Sequence, residues 1–316
     1  MANYSEPYVK FFLHRNSIVT YTDFERVAPE TFSDPRIAAI IAELAGWPCR
    51  EITNHKDVDH PLHKLGFIAE LGMNRNDPGI GRIVGKILEN QSEEGPFQLL
   101  IRIPERYGGT GRPAMSWILS DAPLLIYSTI RLNSGEITPE IRKGMDHIAG
   151  LVSDNGWRCT ASPDLGGFRG PGKKSDPCPY ATMWSLKMLS TTQKGEYHRA
   201  KEIGIKTLLE LWSRREETRP YLFAMGTDFR KLKLPFVWYD ILNVVDTLSR
   251  YEESHDAPGF LDMLKIIREK RTDDGYTPES MYLKSKLWDF GQKKIPSQFL
   301  TAVVQGIEKR VNISRR

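Results

Sequence analysis

The stretch GGFRGPGKKSDPCPYATMWSLKML, residues 166–189, decides how this chain folds. Its first half cannot form a regular helix or strand, because two glycine clusters and three prolines interrupt it. Its second half begins at Pro179, which suits the first turn of a helix, and continues with apolar residues at helical spacing. Asp176 and Cys178 lie directly before that helix. The sequence therefore places a carboxylate and a thiol at a helix N-terminus.

The same arrangement of a polar loop and a proline-led helix recurs along the chain. The predicted apolar helices span residues 61–72, 123–133, 179–190, 235–249 and 296–308, and residues 7–13 begin another. Amphipathic helices alternate with them, over residues 34–45, 77–90, 138–153, 197–214 and 256–270. Several of these open with Asp-Pro or Thr-Pro, which are helix-start signals. No segment between them shows the alternation of apolar and polar residues that is typical of a strand, so we predict an all-α chain.

A glycine followed by an aromatic residue marks most junctions after the amphipathic helices. The instances are Gly46-Trp47, Gly95-Pro96-Phe97, Gly156-Trp157 and Gly275-Tyr276, with Pro220-Tyr221 as a degenerate copy. The glycine is expected to form a left-handed helix cap, and the aromatic ring to anchor the turn in the core. A repeat of about 50 to 60 residues predicts two concentric rings of helices, an α/α toroid of five or six helical hairpins. An open superhelix is the alternative.

Length and composition fit one globular domain. With 316 residues, 40% of them hydrophobic, the chain can bury a core over residues 1–316, with 1–33 as a closing segment and 34–310 as the repeats. No run of eighteen apolar residues occurs and residues 1–30 lack signal-peptide order, which predicts a soluble, cytoplasmic protein without a membrane span. Three cysteines fit a reducing compartment. A net charge of +4 suits an anionic ligand but disfavours nucleic acid, which calls for a one-sided basic stripe.

The Gly-Gly-Phe turn at 166–168, the Pro-Gly step and the helix starting Pro179-Tyr-Ala-Thr resemble a repeat of protein prenyltransferase β subunits. The whole arrangement resembles the α/α toroid of terpenoid cyclases, over roughly residues 34–310, with a specific match over 156–190. The resemblance implies binding of an isoprenoid or similar apolar small molecule with an anionic diphosphate head. Whether the chain also transforms it, as a transferase or cyclase, stays open. The likeness to β subunits would also allow a helical partner subunit.

Asp176-x-Cys178 also resembles the aspartate-x-cysteine zinc pair of prenyltransferases. Cys159 follows the Gly-Trp turn of the same repeat, so we expect its thiol to converge with these two residues at the rim of the toroid. The predicted helices at 235 and 296 contain no histidine, where the resemblance implies a zinc-binding one, so His60 or His63 from another repeat would have to complete the set, with His60 reaching across the ring. The alternative is that the cysteines are small buried residues without a metal.

The residues that precede the apolar helices are expected to share one rim, where helix N-termini add partial positive charge. Lysines from the last two repeats would hold a diphosphate there: Lys231, Lys233, Lys293 and Lys294. The other expected substrate-binding residues lie in the adjoining loops and helices: Arg169, Lys173, Lys174, Tyr180, Trp184, Asp228, Arg230, Trp238 and Tyr239. Tyr127 is expected to join the aromatic residues of the lumen.

Three other functions stay open at this point. The chain could be a non-catalytic binding or scaffold protein that uses the fold. It could act on polysaccharide through paired carboxylates or a Tyr/His pair, or stack nucleotides on its interleaved aromatic residues. It contains no Ser-His-Asp order, P-loop or Gly-x-Gly-x-x-Gly motif. A deep apolar cavity with cations would favour the isoprenoid, an open acidic groove would favour sugar, and a filled lumen would favour the scaffold.

Overall fold

A computed structural model describes residues 4–168, 170, 172–173, 175–217, 220 and 222–313. These residues form twelve α-helices and two short strands. The helices are α1 (Pro7–Arg15), α2 (Phe24–Ser33), α3 (Pro35–Leu44), α4 (Pro61–Leu71), α5 (Ile80–Leu88), α6 (Ala122–Leu132), α7 (Pro139–Gly150), α8 (Pro179–Leu189), α9 (His198–Ser213), α10 (Ile241–Leu248), α11 (Pro258–Arg268) and α12 (Gln298–Ile313). None of the helices described here is long and apolar enough to cross a lipid bilayer.

Six of these helices form an inner ring. α4 packs on α6, α6 on α8, and α8 on α10, while α1 contacts both α4 and α12. The remaining step, from α10 to α12, is made by side chains, since Arg310 of α12 binds Asp246 of α10. The ring therefore closes on itself, and the predicted α/α toroid is confirmed in preference to an open superhelix.

The other six helices cover the outside of the ring. α2 packs on α1, α3 on α4, and both α5 and α7 on α6. α9 covers α8, and α11 covers α10. The inner helices are buried almost all round, as α8 shows with all eleven residues buried. This explains why the inner helices lack a polar face in the sequence, whereas the outer helices are amphipathic.

Two inner helices begin later than predicted. α10 starts at Ile241 instead of residue 235, because the side chain of Asp240 accepts a hydrogen bond from the backbone N–H of Asn243 (3.0 Å) and caps the helix there. α12 starts at Gln298 instead of residue 296, where the Ser297 hydroxyl accepts from the N–H of Leu300 (3.1 Å). A capping side chain outweighs proline as the start signal in both.

Three elements were not predicted. α2 was missed because Pro29 lies inside it, where proline removes a helical hydrogen bond. The strands β1 (Leu99–Ile101) and β2 (Ala114–Ser116) pair antiparallel between α5 and α6. Each has only three residues, too few to show an alternating pattern.

The Gly-aromatic turns do not cap the preceding helices, contrary to the prediction. α7 ends at Gly150, whereas Gly156 comes six residues later with a φ of +100°. The turn instead binds the next inner helix, because the N–H of Trp157 donates to the Thr182 hydroxyl of α8 (3.1 Å). The ring of Trp157 is fully buried, so the aromatic residue does anchor the turn in the core. Tyr221, in the degenerate copy, lies outside the described residues.

Replacing Gly156 by alanine should test how the turn docks. An alanine here would have to keep the positive φ of Gly156, and its Cβ would lie 2.9 Å from the Thr182 hydroxyl. We therefore expect Gly156→Ala to lower the free energy of unfolding by more than about 1 kcal/mol. Gly85→Ala is the matched control, because Gly85 lies inside α5 with nothing within 4 Å of an added Cβ, and it should stabilise by about 0.5–1 kcal/mol. Urea unfolding of the two variants measures both values, and equal effects would contradict the docking.

Candidate functional site

The lumen of the inner ring holds a cavity of about 520 Å³, here called the lumen cavity. Its lining comes mainly from the C-terminal halves of α1, α4, α6, α10 and α12, together with Trp184 of α8. Five aromatic side chains line it: Phe12, Phe67, Trp184, Phe236 and Phe299. Five cationic side chains do as well: Arg15, Arg131, Arg250, Lys309 and Arg310. The cavity therefore combines an apolar wall with a concentration of positive charge.

A buried ion network lies against the lumen cavity. Lys187, on α8, is fully buried and binds two carboxylates, Glu70 of α4 and Asp246 of α10, each at 2.8 Å. Arg250 reaches Asp246 at 3.1 Å and Glu70 at 3.5 Å. Arg310 reaches the second oxygen of Asp246 at 2.6 Å. Four inner helices are tied together by these contacts.

The network carries more positive than negative charge. Lys187, Arg250 and Arg310 face only Glu70 and Asp246. Arg131 adds a fourth cation, and it donates to the amide oxygen of an asparagine, Asn16, at 2.6 Å. Four cations against two carboxylates leave an excess of two positive charges in the described part of this site. Lys187 is fully buried and the three arginines are partly buried, so an anion that joined them would relieve the repulsion between these cations.

The pKa shifts in the network follow from these contacts. Burial works to raise the pKa of Asp246, but Arg250, Lys187 and Arg310 outweigh it and hold that pKa far below its usual range. Burial lowers the pKa of Arg310, and the neighbouring Arg250 lowers it further against the attraction of Asp246. The pKa of Arg250 is shifted the other way: burial lowers it, but Asp246 and Glu70 outweigh burial and raise it.

A second cavity, here called the rim cavity, lies at the other end of the inner helices and measures about 380 Å³. Its lining includes Cys178 at the start of α8, His55 in the loop before α4, and Ser120 just before α6. The described residues that line it are all different from those of the lumen cavity.

Backbone pairing explains how the two cysteines of the rim cavity meet. The N–H of Cys178 donates to the carbonyl of Trp157 (2.7 Å), two residues before Cys159. The N–H of Leu119 donates to the carbonyl of Thr160 (2.8 Å), which brings the start of α6 alongside. These contacts bring Cys159 and Cys178 to the wall of the same cavity.

The two thiols are not equivalent. The neighbouring Cys159 thiol lowers the pKa of Cys178 against the effect of burial, helped by the N–H of Ala181 (3.4 Å) and by the charge of His55. The Cys178 thiol, together with burial, raises the pKa of Cys159 well above its usual value. The backbone N–H that points at its sulfur distinguishes Cys178, since such a donor stabilises a thiolate.

His55 is oriented by a buried carboxylate. Its Nδ1 lies 3.0 Å from an oxygen of Asp121, which is fully buried at the N-terminus of α6. Burial works to lower the pKa of His55, but the attraction and hydrogen bond of Asp121 outweigh it and raise that pKa. The side chain of His55 is 37% exposed, so the ring reaches the cavity. The sequence analysis selected His60, directly before α4, and missed His55, which lies five residues earlier in the loop.

The residues implied as zinc ligands come together only in part. Both ring nitrogens of His60 are engaged, one by the N–H of Leu62 (3.1 Å) and one by the carbonyl of Arg50 (3.2 Å). Asp176 accepts a hydrogen bond from the N–H of Lys173 (3.1 Å). Within the described ranges no three His, Cys, Asp or Glu side chains are grouped to hold a metal ion. The set does not fit zinc as it stands, and the zinc site remains a prediction.

The expected substrate-binding residues are divided between several places. Lys173, Tyr180 and Trp238 line the rim cavity, while Trp184 lines the lumen cavity. Asp228, Lys233 and Tyr239 border a smaller cavity beside the rim cavity. Lys231 pairs with Asp228 at 3.3 Å and Arg230 lies over the ring of Trp212, while Lys293 and Lys294 are exposed. Arg169 and Lys174 lie outside the described residues.

Comparisons with known proteins do not assign this chain to a family. No family model and no curated protein matches this sequence. A protein from Actinoplanes is similar over 97% of this chain and 89% of its own, at 11% identity and a TM-score of 0.44. A type II terpene cyclase variant from Scytonema, solved with its substrate geranylgeranyl dihydroxybenzoate, is similar over 98% of this chain and 88% of its own, at 9% identity and a TM-score of 0.46. At these values no ligand or activity transfers to this chain.

Acid should destabilise the protein through His63, which anchors the loop carrying His55. The Nε2–H of His63 donates to the carbonyl of His55 (2.8 Å), and burial lowers the pKa of His63 from 6.5 to about 4. Between these two pKa values the unfolded chain binds a proton on His63 that the folded chain excludes. The contribution of neutral His63 to the free energy of unfolding is therefore complete above pH 6.5 and is lost as the pH falls towards 4. We expect a loss of up to about 3 kcal/mol over that window.

The His63→Gln variant isolates this contribution, because other titrating groups are common to both proteins. Urea unfolding between pH 4.5 and pH 7, values chosen to bracket the window, should give a steeper slope for the wild type than for the variant. Parallel slopes would show that His63 is not buried in its neutral form.

Proposed function

We propose that the protein binds an isoprenoid-like small molecule in the lumen cavity, with a phosphate or diphosphate head among the arginines. The observation that carries this proposal is the excess of two positive charges beside an apolar cavity. The head would lie at the C-terminal ends of the inner helices, opposite to the lysine-bearing rim that the sequence indicated.

The charge excess favours a phosphate over a carboxylate. A phosphate group carries about −1.5 to −2 charges at pH 7, which balances the two unmatched cations of the network, whereas a carboxylate would balance one. Arginine also presents paired N–H donors that match phosphate oxygens. The Nε atoms of Arg131 and Arg250 are buried without a hydrogen-bond partner among the described residues, so each offers a donor to such a head.

The apolar part of the ligand would lie against the aromatic wall. Phe236 lines the cavity, and the centroid of its ring lies 4.0 Å from the amine of Lys187. Phe67 and Phe299 also line it and pack edge to face, with 5.7 Å between their ring centroids. A volume of about 520 Å³ lies within the range of small-molecule sites. Aromatic faces beside the chain would also stabilise developing positive charge, if the ligand is transformed.

The same observations weigh against the other functions. A polysaccharide-active toroid of the paired-carboxylate type needs two free carboxylates, whereas Glu70 and Asp246 are held by cations. A pure scaffold would gain nothing from a buried surplus of charge, since apolar side chains of similar size usually stabilise a core better.

Calorimetric titration with geranylgeranyl diphosphate, geranylgeraniol and inorganic diphosphate tests the proposal. The diphosphate ester should bind more tightly than either half, because it alone fills both parts of the cavity. Its affinity should fall as salt is raised, as expected for an ionic head. Equal affinity for the alcohol and the diphosphate ester would overturn the anionic-head assignment, and tighter binding of inorganic diphosphate would overturn the role of the aromatic wall.

A further inference from the structure

We propose that the rim cavity is a second functional site, in which Cys178 is the nucleophile of an acyl-transfer reaction, His55 its acid–base partner, and Asp121 the residue that orients His55. The substrate class is an activated acyl ester or thioester, with water as the acceptor. This site is separate from the lumen cavity, so it stands or falls independently of ligand binding there.

The three roles fall to side chains that line the rim cavity or lie directly behind it. Cys178 caps α8, where its Sγ accepts a hydrogen bond from the N–H of Ala181. His55 lines the same cavity, and its Nδ1 is held by Asp121 at 3.0 Å. The second ring nitrogen, Nε2, has no hydrogen-bond partner among the described residues, which leaves it for the reacting thiol. A nucleophile, a base and a group that orients the base form the usual logic of covalent acyl transfer.

Cys159 positions the nucleophile. Both thiols line the rim cavity, and the hydrogen bond from the N–H of Cys178 to the carbonyl of Trp157 fixes the two segments that carry them. Because a hydrogen-bond donor stabilises a thiolate, Cys159 would hold Cys178 ready for attack. Cys159 is thus a positioning residue in this proposal.

In this proposal the buried hydroxyl of Ser120 donates to the carbonyl oxygen of the substrate. Ser120 lines the rim cavity and is only 4% exposed, yet its Oγ has no hydrogen-bond partner among the described residues. An unpartnered hydroxyl in such a place is costly unless a ligand accepts its hydrogen bond. The oxygen that becomes negative when a thiolate attacks a carbonyl carbon is such an acceptor.

The cavity walls define the two halves of the substrate. Phe168, Phe223 and Trp238 line it, and Trp238 is stacked between Tyr180 (5.0 Å) and Phe223 (5.3 Å). These rings suit an apolar or planar acyl group. The cationic side chains that line the cavity, Arg158 and Lys173, are exposed. They suit an anionic leaving part.

The reaction has two halves, acylation of Cys178 and hydrolysis of the resulting thioester. His55 takes the proton of Cys178 on Nε2, the sulfur forms a bond to the carbonyl carbon, and the bond to the leaving oxygen or sulfur breaks as His55 returns the proton to it. The product of this half is a thioester on Cys178. His55 then takes a proton from water, whose oxygen attacks the thioester, and the carboxylic acid leaves as the thiol regains its proton.

Incubation with p-nitrophenyl butyrate under reducing conditions tests the site. We expect a stoichiometric burst of p-nitrophenolate and a butyryl adduct located by peptide mass spectrometry on Cys178. The Cys178→Ala variant should lose the burst, whereas Cys49→Ala, which removes an exposed cysteine elsewhere, should keep it. An adduct found only on Cys49, or an unchanged burst in Cys178→Ala, would overturn the proposal.

The His55→Gln and Asp121→Asn variants separate catalysis from packing. Loss of the acid–base partner should slow acylation by about 100-fold or more, while circular dichroism shows the fold retained. Cys159→Ser keeps a donor beside the thiol and should acylate faster than Cys159→Ala. Rates in a folded His55→Gln that equal the wild type would overturn the assigned role of His55, and equal rates for the two Cys159 variants would overturn that of Cys159.

Discussion

An Asp246→Ala variant should lose about 3–5 kcal/mol of folding free energy, the range expected when one partner of a buried ion network is removed. Asp246 contacts Lys187, Arg250 and Arg310 within 3.1 Å and is 3% exposed. Its removal would leave Glu70 as the one carboxylate for these three cations in the described network. Urea unfolding at neutral pH measures the loss.

Two further variants show whether charge imbalance is the cause. Glu252→Ala removes a carboxylate that pairs with Lys194 at 2.7 Å on the surface, and it should cost less than about 1 kcal/mol. Adding Lys187→Met to Asp246→Ala removes a stranded cation and should restore part of the stability. A cost for Asp246→Ala that matches the surface control would contradict the account of the network.

An Arg131→Gln variant should bind geranylgeranyl diphosphate about 10- to 100-fold more weakly, since a charged hydrogen bond contributes roughly 1.5–3 kcal/mol. Its effect on folding should be small, within about 1 kcal/mol, because Arg131 pairs with the amide oxygen of Asn16 and belongs to a surplus of cations. A large affinity loss without a stability loss would mark Arg131 as a binding residue. Calorimetric titration and urea unfolding of the same preparation measure both.

The Lys294→Gln variant is the matched control, because it removes one positive charge from the exposed rim that the sequence indicated. Its affinity for the diphosphate should equal that of the wild type. If Lys294→Gln weakens binding and Arg131→Gln does not, the head lies at the lysine rim and the lumen assignment is wrong.

The toroid was predictable because its signals are local. Pro61 and Pro179 open inner helices at the expected positions, and the apolar spacing after them marks elements buried all round. The helix boundaries at 241 and 298 were not predictable from proline alone, because Asp240 and Ser297 compete as caps a few residues later. Which of two start signals dominates depends on what the intervening segment packs against, and here Phe236 enters the lumen.

The charged lumen was missed although the sequence carries its signal. Glu70, Lys187 and Asp246 each interrupt an otherwise apolar inner helix, and a charge at such a position requires a buried partner. The partners come from other helices, however, so their pairing depends on the order and rotation of the helices in the ring. His55 was missed for a similar reason, since only the folded loop brings its ring to Asp121.

A crystal structure with geranylgeranyl thiolodiphosphate, an analogue that resists cleavage, tests the central claim most directly. Anomalous scattering from its sulfur and phosphorus atoms would locate the head group. We predict peaks between Arg131, Arg250 and Arg310, with the hydrocarbon chain along Phe67 and Phe299. Peaks beside Lys233 or Lys293 at the opposite end, or a lumen cavity without ligand density at saturating concentration, would contradict it.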